Sequence, residues 1–126
     1  MKSATPGKPK LEKAVQAAFY RSERGNEPVR DFLDDLSAAD RKSIGGDIAQ
    51  VEWKWPNVRS PLIDGFGKGL YEVRTGLKDR IARVYFGAEK CQMVLLHGVI
   101  KKTRKADQSD IALARERLKD WKNHNP

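Results

Sequence analysis

The hydrophobic pattern of the N-terminal third predicts one strand followed by a helix. Apolar and polar residues alternate over 14–20, as they do in a half-buried strand. A polar loop comes next, and Pro28 suits the first turn of a helix because its missing N–H would be unpaired there anyway. Apolar residues then recur on one helical face over 29–36. We therefore expect a short amphipathic helix after the first strand.

A second helix is expected directly afterwards. Ser37 and Asp40 have the spacing of a capping box, and apolar residues then recur every three or four positions as far as Pro56. Gly45 and Gly46 weaken such a helix by about 1 kcal/mol each relative to alanine, which indicates a point of close packing. The two helices are predicted to form a hairpin with acidic outer faces.

The second half of the chain predicts a meander and a terminal helix. Prolines and glycines interrupt 56–69, which is therefore expected to be an irregular connection. Strand patterns follow over 70–75, 80–86 and 92–100. Four-residue turns are expected between these strands. After a basic run, Asp107 or Ser109 is predicted to cap a helix with one apolar stripe.

The predicted order is β-α-α-β-β-β-α, which defines an α+β fold. In it the helical hairpin and the C-terminal helix pack on a small, mainly antiparallel sheet. The first ten residues contain two prolines and three lysines without any hydrophobic period, so 1–10 is predicted to be a flexible basic tail. The remaining residues, 11–126, have a length typical of one domain.

Charge adds a preference for anionic partners. The chain has 25 Lys and Arg against 17 Asp and Glu, a formal net charge of +8. Residues 27–67 carry five basic and eight acidic side chains, whereas 68–126 carry fourteen basic and seven acidic ones. A surplus of this kind favours a nucleic-acid partner, and it equally fits an acidic protein partner or solubility alone.

Several protein classes are disfavoured by the sequence. No apolar run approaches the ~18 residues of a membrane span, and the N-terminus lacks the apolar region of a secretory signal. Cys91 is the only cysteine, so no internal disulfide can form, and a cytoplasmic location is predicted. Because His97 and His124 are the only histidines and lie far apart, no metal or other cofactor is expected.

The meander is predicted to gather polar side chains on one face of the sheet. If Thr75 faces Arg80 across the first turn, this polar face contains Glu72, Arg74, Arg83 and Tyr85. The opposite, core face then contains Tyr71, Val73, Ala82, Val84 and Phe86. Two guanidinium groups can bind phosphate oxygens bidentately, and an exposed aromatic ring can stack on a base. The alternative is an ion pair between Glu72 and Arg83 on a solvated face, which contributes only ~0–1 kcal/mol.

The last strand and the basic run after it supply further candidates. His97 lies in an apolar segment, where a histidine is more often a hydrogen-bonded sheet residue than a catalyst. It is nevertheless the candidate for proton transfer near neutral pH. The basic run comprises Lys101, Lys102, Arg104 and Lys105. Such a run is typical of solvated surface, and beside an arginine-bearing sheet it also suits an RNA backbone.

An ordered set of segments resembles the phage-derived HigB-like branch of the RelE/ParE toxin superfamily. These segments are Phe19-Tyr20-Arg21, Pro28-Val29-Arg30-Asp31-Phe32-Leu33, Gly69-Leu70-Tyr71-Glu72-Val73-Arg74, Arg80-Ile81-Ala82-Arg83-Val84-Tyr85-Phe86 and Leu95-Leu96-His97-Gly98-Val99-Ile100-Lys101-Lys102-Thr103. The resemblance covers residues 14–122 and is carried by the order and spacing of the segments. It implies a RelE-like fold.

The resemblance also implies a function. The implied protein is the toxin of a type II toxin–antitoxin pair. Its implied activity is ribosome-dependent cleavage of mRNA without a metal ion. In the chemistry of this family the ribose 2′-hydroxyl attacks the adjacent phosphate. The implied partners are messenger RNA on the ribosome and a cognate helix-turn-helix antitoxin, with DNA bound only through the antitoxin complex. The alternatives are a ParE-like toxin that acts on DNA gyrase and a catalytically silent basic module that binds RNA or a partner.

Site residues follow from the same resemblance. Arg74 is expected to stabilise the charge of the phosphate, with Arg83 assisting. The complete predicted catalytic set is Arg74, Arg83, His97 and Lys102. The predicted RNA-binding set is Lys68, Tyr85, Lys101, Arg104 and Lys105.

Overall fold

The computed structural model describes residues 12–103 and 105–126 and contains eight elements there. In chain order they are β1 (Gln16–Phe19), α1 (Pro28–Asp34), α2 (Ala38–Lys54), β2 (Ile63–Gly67), β3 (Leu70–Leu77), β4 (Arg80–Glu89), β5 (Gln92–Lys101) and α3 (Gln108–His124). The predicted tail, 1–10, lies outside the described residues. None of the helices in the described ranges is long and apolar enough to cross a membrane.

The five strands form one sheet in the order β1-β5-β4-β3-β2. β1 runs parallel to β5, and each of the other neighbouring pairs is antiparallel. Three helices pack on this mostly antiparallel sheet, which confirms the predicted α+β, RelE-like fold.

β2 is a strand that the sequence pattern does not predict. It lies at the edge of the sheet and pairs only with β3, and its register shifts between Gly65 and Gly67. Glycine and irregular pairing are tolerated in an edge strand because only one side of the backbone has to match a neighbour. The prediction of an irregular connection over 56–69 was therefore wrong for Ile63–Gly67.

The hairpins are tighter than predicted. Leu77 pairs with Arg80, so only Lys78 and Asp79 form the β3–β4 turn, and the four-residue turn was wrong. Asp79 adopts a φ of 58° without a glycine to indicate the turn in the sequence. The register therefore differs by two residues from the expected one. Because two is the period of a strand, the composition of each face is unchanged.

One face of the sheet is covered by α1 and α2. The predicted core face packs there against buried residues of α2, which are Ile44, Ile48 and Val51. Ser37 caps α2 by accepting a hydrogen bond from the Asp40 N–H, as predicted. α1 approaches β5 closely at Gly98, where a Cβ atom would overlap the Phe32 ring.

The other face is covered by α3, which Asp107 caps through the N–H of Ser109. A second core forms here between the sheet and α3. Leu118 lies so close to Gly87 that any larger residue at position 87 would collide with it. The first residues of α3 thus lie near the end of β5, and the rest of the helix runs back across the sheet.

Candidate nucleic-acid site

The candidate site lies on the α3 face of the sheet, towards the ends of β3 and β5. Arg74 and Arg83 are directly opposite each other on β3 and β4, and Val99 of β5 pairs with Arg83. In the adjoining row, Glu72 pairs with Tyr85, and Tyr85 pairs with His97. The sheet thereby brings together Glu72, Arg74, Arg83 and Tyr85 on one face, as the sequence predicted, and it adds His97 beside Tyr85.

Arg74 is the accessible arginine of this face. Its side chain keeps 23% of its surface exposed. The Nε atom donates to the carbonyl of Pro61 at 3.1 Å, and one terminal nitrogen donates to the Ser60 hydroxyl at 3.3 Å. Glu72 Oε1 lies 3.7 Å from Arg74 Nε. These contacts hold the guanidinium group at the surface in a defined direction.

A cavity opens beside Arg74. It has a volume of about 480 Å³ and is lined by Pro61, Leu62, Arg74, Gly76 and Ile81. The lining is largely apolar apart from the guanidinium group. A ligand here would contact one cation and several apolar walls, an arrangement that suits a phosphate linked to an apolar or aromatic group.

Arg83 is buried, and this changes its role. It and Glu72 each keep only 1% of their side-chain surface exposed, and Arg83 Nη1 donates to Glu72 Oε1 at 2.6 Å. The ion pair expected as the alternative is therefore present, but it is buried rather than solvated. Burial raises the pKa of Glu72, whereas the guanidinium groups of Arg83 and Arg74 oppose that rise. Arg83 cannot touch a substrate from this position.

The second arm of Arg83 reaches the segment after β5. Its Nη2 atom donates to the carbonyl of Thr103 at 3.0 Å. Lys102 and Lys105 flank this carbonyl in the sequence, and both are exposed. Arg104 lies outside the described residues. Arg83 thus fixes the backbone of the basic run, while the same guanidinium group binds the carboxylate next to Arg74.

His97 is held by a carboxylate of α3. Its Nε2 atom lies 2.8 Å from Asp110 Oδ1, and its ring stacks on Tyr85 with the centroids 5.7 Å apart. Lys101 Nζ is 3.6 Å from both Asp110 Oδ2 and Asp107 Oδ2. The hydrogen bond to Ser109 lowers the pKa of Asp107, so this carboxylate is ionised beside Lys101. The His97 imidazole is therefore fixed in orientation and close to a cation.

Tyr85 does not offer the exposed ring that was predicted. Its side chain is fully buried between His97 and Phe66. Burial, followed by the nearby carboxylate of Glu72, raises the pKa of Tyr85 far above its usual range, so the phenol stays neutral. The prediction failed because β2 and α3 cover this part of the polar face, and neither contact is encoded in the pattern of β4 itself.

Lys68 lies away from the other predicted residues. It is exposed in the turn between β2 and β3, near the C-terminal half of α3. The structure thus brings Lys101 and Lys102 close to the arginine-bearing end of the sheet, and it separates Lys68 from them.

Sequence reasoning missed two features of the site. Asp110 is an acidic residue in the first turn of a helix, and its position alone indicates only a favourable interaction with the helix dipole. Ser60 and Pro61 belong to a segment without periodicity, so their contact with Arg74 has no local signal. Among the described residues, no group of three or more His, Cys, Asp or Glu side chains could hold a metal ion.

The fold and site define a small α+β protein of the RelE type with an accessible arginine on its sheet. A sequence profile described as phage-derived protein, Gp49-like, matches residues 31–119, and the chain belongs to that family. The family is one of RelE/HigB-like toxins, which confirms the toxin family expected from the sequence, without its HigB-like branch, and implies an antitoxin partner. No curated protein matches the chain.

Proposed function

We propose that this protein is the toxin of a type II toxin–antitoxin pair and that it cleaves messenger RNA on the ribosome. Family membership supports the toxin class. The observation that carries the nuclease activity is Arg74, a partly exposed guanidinium group that is held by Pro61 and opens onto a cavity. We place the protein in the HigB-like branch and in the cytoplasm.

Arg74 binds the scissile phosphate in this proposal. The ribose 2′-oxygen forms a bond to phosphorus, the bond from phosphorus to the 5′-oxygen breaks, and a proton moves from the 2′-hydroxyl to the leaving oxygen by way of an acid and a base. Negative charge accumulates on the phosphate oxygens during the attack. A guanidinium group already oriented by the protein stabilises that charge without reorganisation, and donors of this kind contribute ~10²–10³ in rate.

The remaining residues have distinct roles. His97 transfers a proton, and Asp110 orients its ring through the Nε2 contact. Lys101, Lys102, Arg104 and Lys105 are proposed to hold the RNA backbone. Arg83 is a positioning residue that acts through Glu72 and the Thr103 carbonyl. No role in contacting RNA is proposed for Tyr85 because its ring is buried.

The inhibitor in this proposal is a cognate helix-turn-helix antitoxin that covers the basic face. DNA is then read by the antitoxin in the complex. Net charge supports a partner with anionic groups, since the chain carries a formal charge of +8.

The experiment is induction of the wild type, Arg74→Ala and Arg24→Ala in a bacterial host, with messenger RNA 5′ ends mapped within minutes. Arg24 is an exposed arginine in the loop before α1, so its variant is the matched control. We expect new ends at consistent codon positions with the wild type and Arg24→Ala, and none with Arg74→Ala. Growth arrest with intact transcripts would contradict the proposal in favour of a gyrase inhibitor, and no arrest would favour a silent binding module.

A further inference from the structure

We propose that a second cationic surface, remote from Arg74, binds the phosphate backbone of single-stranded RNA. This surface, the α3 groove, is lined by Lys68, Arg115, Leu118, Lys119 and Lys122, and it encloses about 160 Å³. The inference deepens the proposed nuclease function and rests on it, because RNA is the substrate proposed there.

Helical geometry aligns the cations of the groove. Arg115, Lys119 and Lys122 are four and three positions apart, so they lie along one face of α3. The β2–β3 turn forms the facing wall and carries Lys68. Arg115 ties the two walls together, since its terminal nitrogens donate to the carbonyls of Gly67 at 3.3 Å and Phe66 at 3.1 Å. The groove is therefore a defined surface rather than a chance group of side chains.

The charge of the groove is largely uncompensated. Glu89 pairs with Lys122 at 2.8 Å. Lys68 and Lys119 are exposed, and neither side chain forms an ion pair or hydrogen bond with the described residues. Two lysines thus remain available to an anionic ligand, next to a third cation that is fixed in place. Phosphate groups would release counterions on binding here, which favours association at low salt.

The chemistry of the groove favours RNA over a protein partner. Protein interfaces concentrate their binding energy in buried aromatic and apolar anchors. Trp53 on α2 is the one exposed large hydrophobic residue in the described ranges, and α2 packs on the opposite face of the sheet. A cationic groove without such an anchor suits a chain of phosphates, which binds through charge neutralisation and counterion release.

The groove lies too far from Arg74 to bind the same phosphate. Leu70, the first residue of β3, precedes Arg74 by four residues, which corresponds to about 13 Å in a strand, and Lys68 lies beyond Leu70 in the β2–β3 turn. An RNA strand that contacts both positions must span several nucleotides. The groove would therefore hold RNA beyond the scissile phosphate and make binding depend on RNA length.

The test uses an RNA that cannot be cleaved. A labelled 2′-O-methyl oligonucleotide of about 16 nucleotides, the upper end of known single-strand site sizes, is titrated with the full chain between about 50 and about 200 mM salt. The test variant is Lys68→Gln with Lys119→Gln. The matched control is Lys42→Gln with Lys54→Gln, which removes two exposed charges from α2.

Each phosphate contact contributes ~0.7 to the salt slope of single-strand binding, so the test variant should lose about 1.4. Over this fourfold range the wild type and the control should lose about sevenfold more affinity than the test variant. An unchanged slope in the test variant, or an equal change in the control, would overturn the inference. Poly-glutamate is titrated in parallel as a model of an acidic protein. If the test variant loses poly-glutamate binding but keeps its RNA binding, the RNA inference is overturned in favour of an acidic protein partner. Since no cleavage occurs in this assay, failure of the nuclease proposal would be seen separately.

Discussion

Arg83 is a buried cation whose two arms connect the parts of the site. One arm binds Glu72, which also lies within 3.7 Å of Arg74, and the other binds the carbonyl of Thr103. Three buried polar atoms of this region have no hydrogen-bond partner within the described residues: Glu72 Oε2, Arg83 Nε and Tyr85 OH. The pair thus combines desolvation with incomplete hydrogen bonding, and such pairs contribute to geometry more than to stability.

Removing one partner of the pair should be strongly destabilising. Arg83→Met leaves Glu72 buried without its closest cation, so the free energy of unfolding should fall by about 3–5 kcal/mol. The double variant with Glu72→Met should recover most of that loss, because an apolar pair needs no charge compensation. Urea denaturation monitored by circular dichroism measures both effects.

The control for this prediction is Arg80→Gln on the same strand. Arg80 pairs with Asp40 at 2.9 Å, but the two side chains are 36% and 22% exposed. Loss of this pair should cost only ~0–1 kcal/mol. If the double variant Arg83→Met with Glu72→Met were as unstable as Arg83→Met alone, the loss of stability could not be explained by an unpaired buried charge on Glu72.

Tyr20 gives the protein a pH dependence in the alkaline range. Burial, together with the hydrogen bond that its hydroxyl donates to Asp120 at 2.6 Å, raises its pKa from 10.0 to about 12. The folded state therefore holds the phenolic proton more tightly than the unfolded chain does. This stabilisation is fully present below pH 10 and is lost as the pH rises towards 12.

Tyr20→Phe should remove that dependence. Between about pH 9 and about pH 11.5, the wild type should lose about 2 kcal/mol more of its free energy of unfolding than the variant. Urea denaturation at the two pH values measures the difference. Parallel losses in the two proteins would show that Tyr20 does not titrate abnormally.

At the scale of elements, the close approach of α3 to β4 depends on Gly87. A Cβ atom there would overlap the side chain of Leu118, whereas the space around the Cβ position of Gly76 on β3 is empty. α3 can therefore pack this close to β4 only at a position where β4 has no side chain. The approach also bears on where Asp110 of α3 meets His97, because His97 lies on β5, the strand that pairs with β4.

Gly87→Ala should destabilise the protein by about 1–3 kcal/mol through overpacking. Leu118→Ala alone should cost about 2–5 kcal/mol, and the double variant should cost clearly less than the sum of the two. Gly76→Ala is the control and should change the free energy of unfolding by less than about 0.5 kcal/mol. Strict additivity of Gly87→Ala and Leu118→Ala in urea denaturation would contradict the contact.

Gly45 and Gly46 have a different role from the one expected. The sequence predicted close packing around this pair, but no atom lies within 4 Å of either Cβ position and both residues are exposed. The prediction was wrong because the pair lies on the solvent side of α2. Each glycine is therefore only a weak helix former here.

Gly46→Ala should raise the free energy of unfolding by about 0.5–1 kcal/mol, because alanine favours the helix and restricts the unfolded chain. Gly45→Ala should have a similar effect, and thermal unfolding can measure both. A loss of stability would indicate packing that the structure does not show.

The elements themselves were largely predictable, because periodicity and capping are local properties. Both helices of the hairpin, four of the five strands and the cap at Asp107 agree with the sequence pattern. β2 was not predicted because an edge strand rich in glycine has the composition of a loop. The two-residue turn at Asp79 was not predicted because Asp79 adopts a positive φ, which glycine would normally indicate in the sequence.

In the whole molecule, the sequence predicts which residues of the site share one face of the sheet, but it does not predict which of them are buried. Strand alternation is enough to place Arg74, Arg83 and Tyr85 together. Which of them reaches solvent depends on segments that are distant in sequence. Phe66 of β2 packs on Tyr85, and Thr103 after β5 contacts Arg83, whereas Arg74 stays partly exposed. The same long-range packing separates Lys68 from the basic end of β5.

The role of Arg74 in catalysis is tested most directly by the rate of messenger RNA cleavage on purified ribosomes under single-turnover conditions. Wild type, Arg74→Ala and Arg24→Ala are compared, with new 5′ ends quantified by primer extension. We expect Arg74→Ala to lower the cleavage rate by about 10²–10³ and Arg24→Ala to cleave like the wild type. Equal cleavage by Arg74→Ala and the wild type, with both proteins folded, would contradict the central role of Arg74.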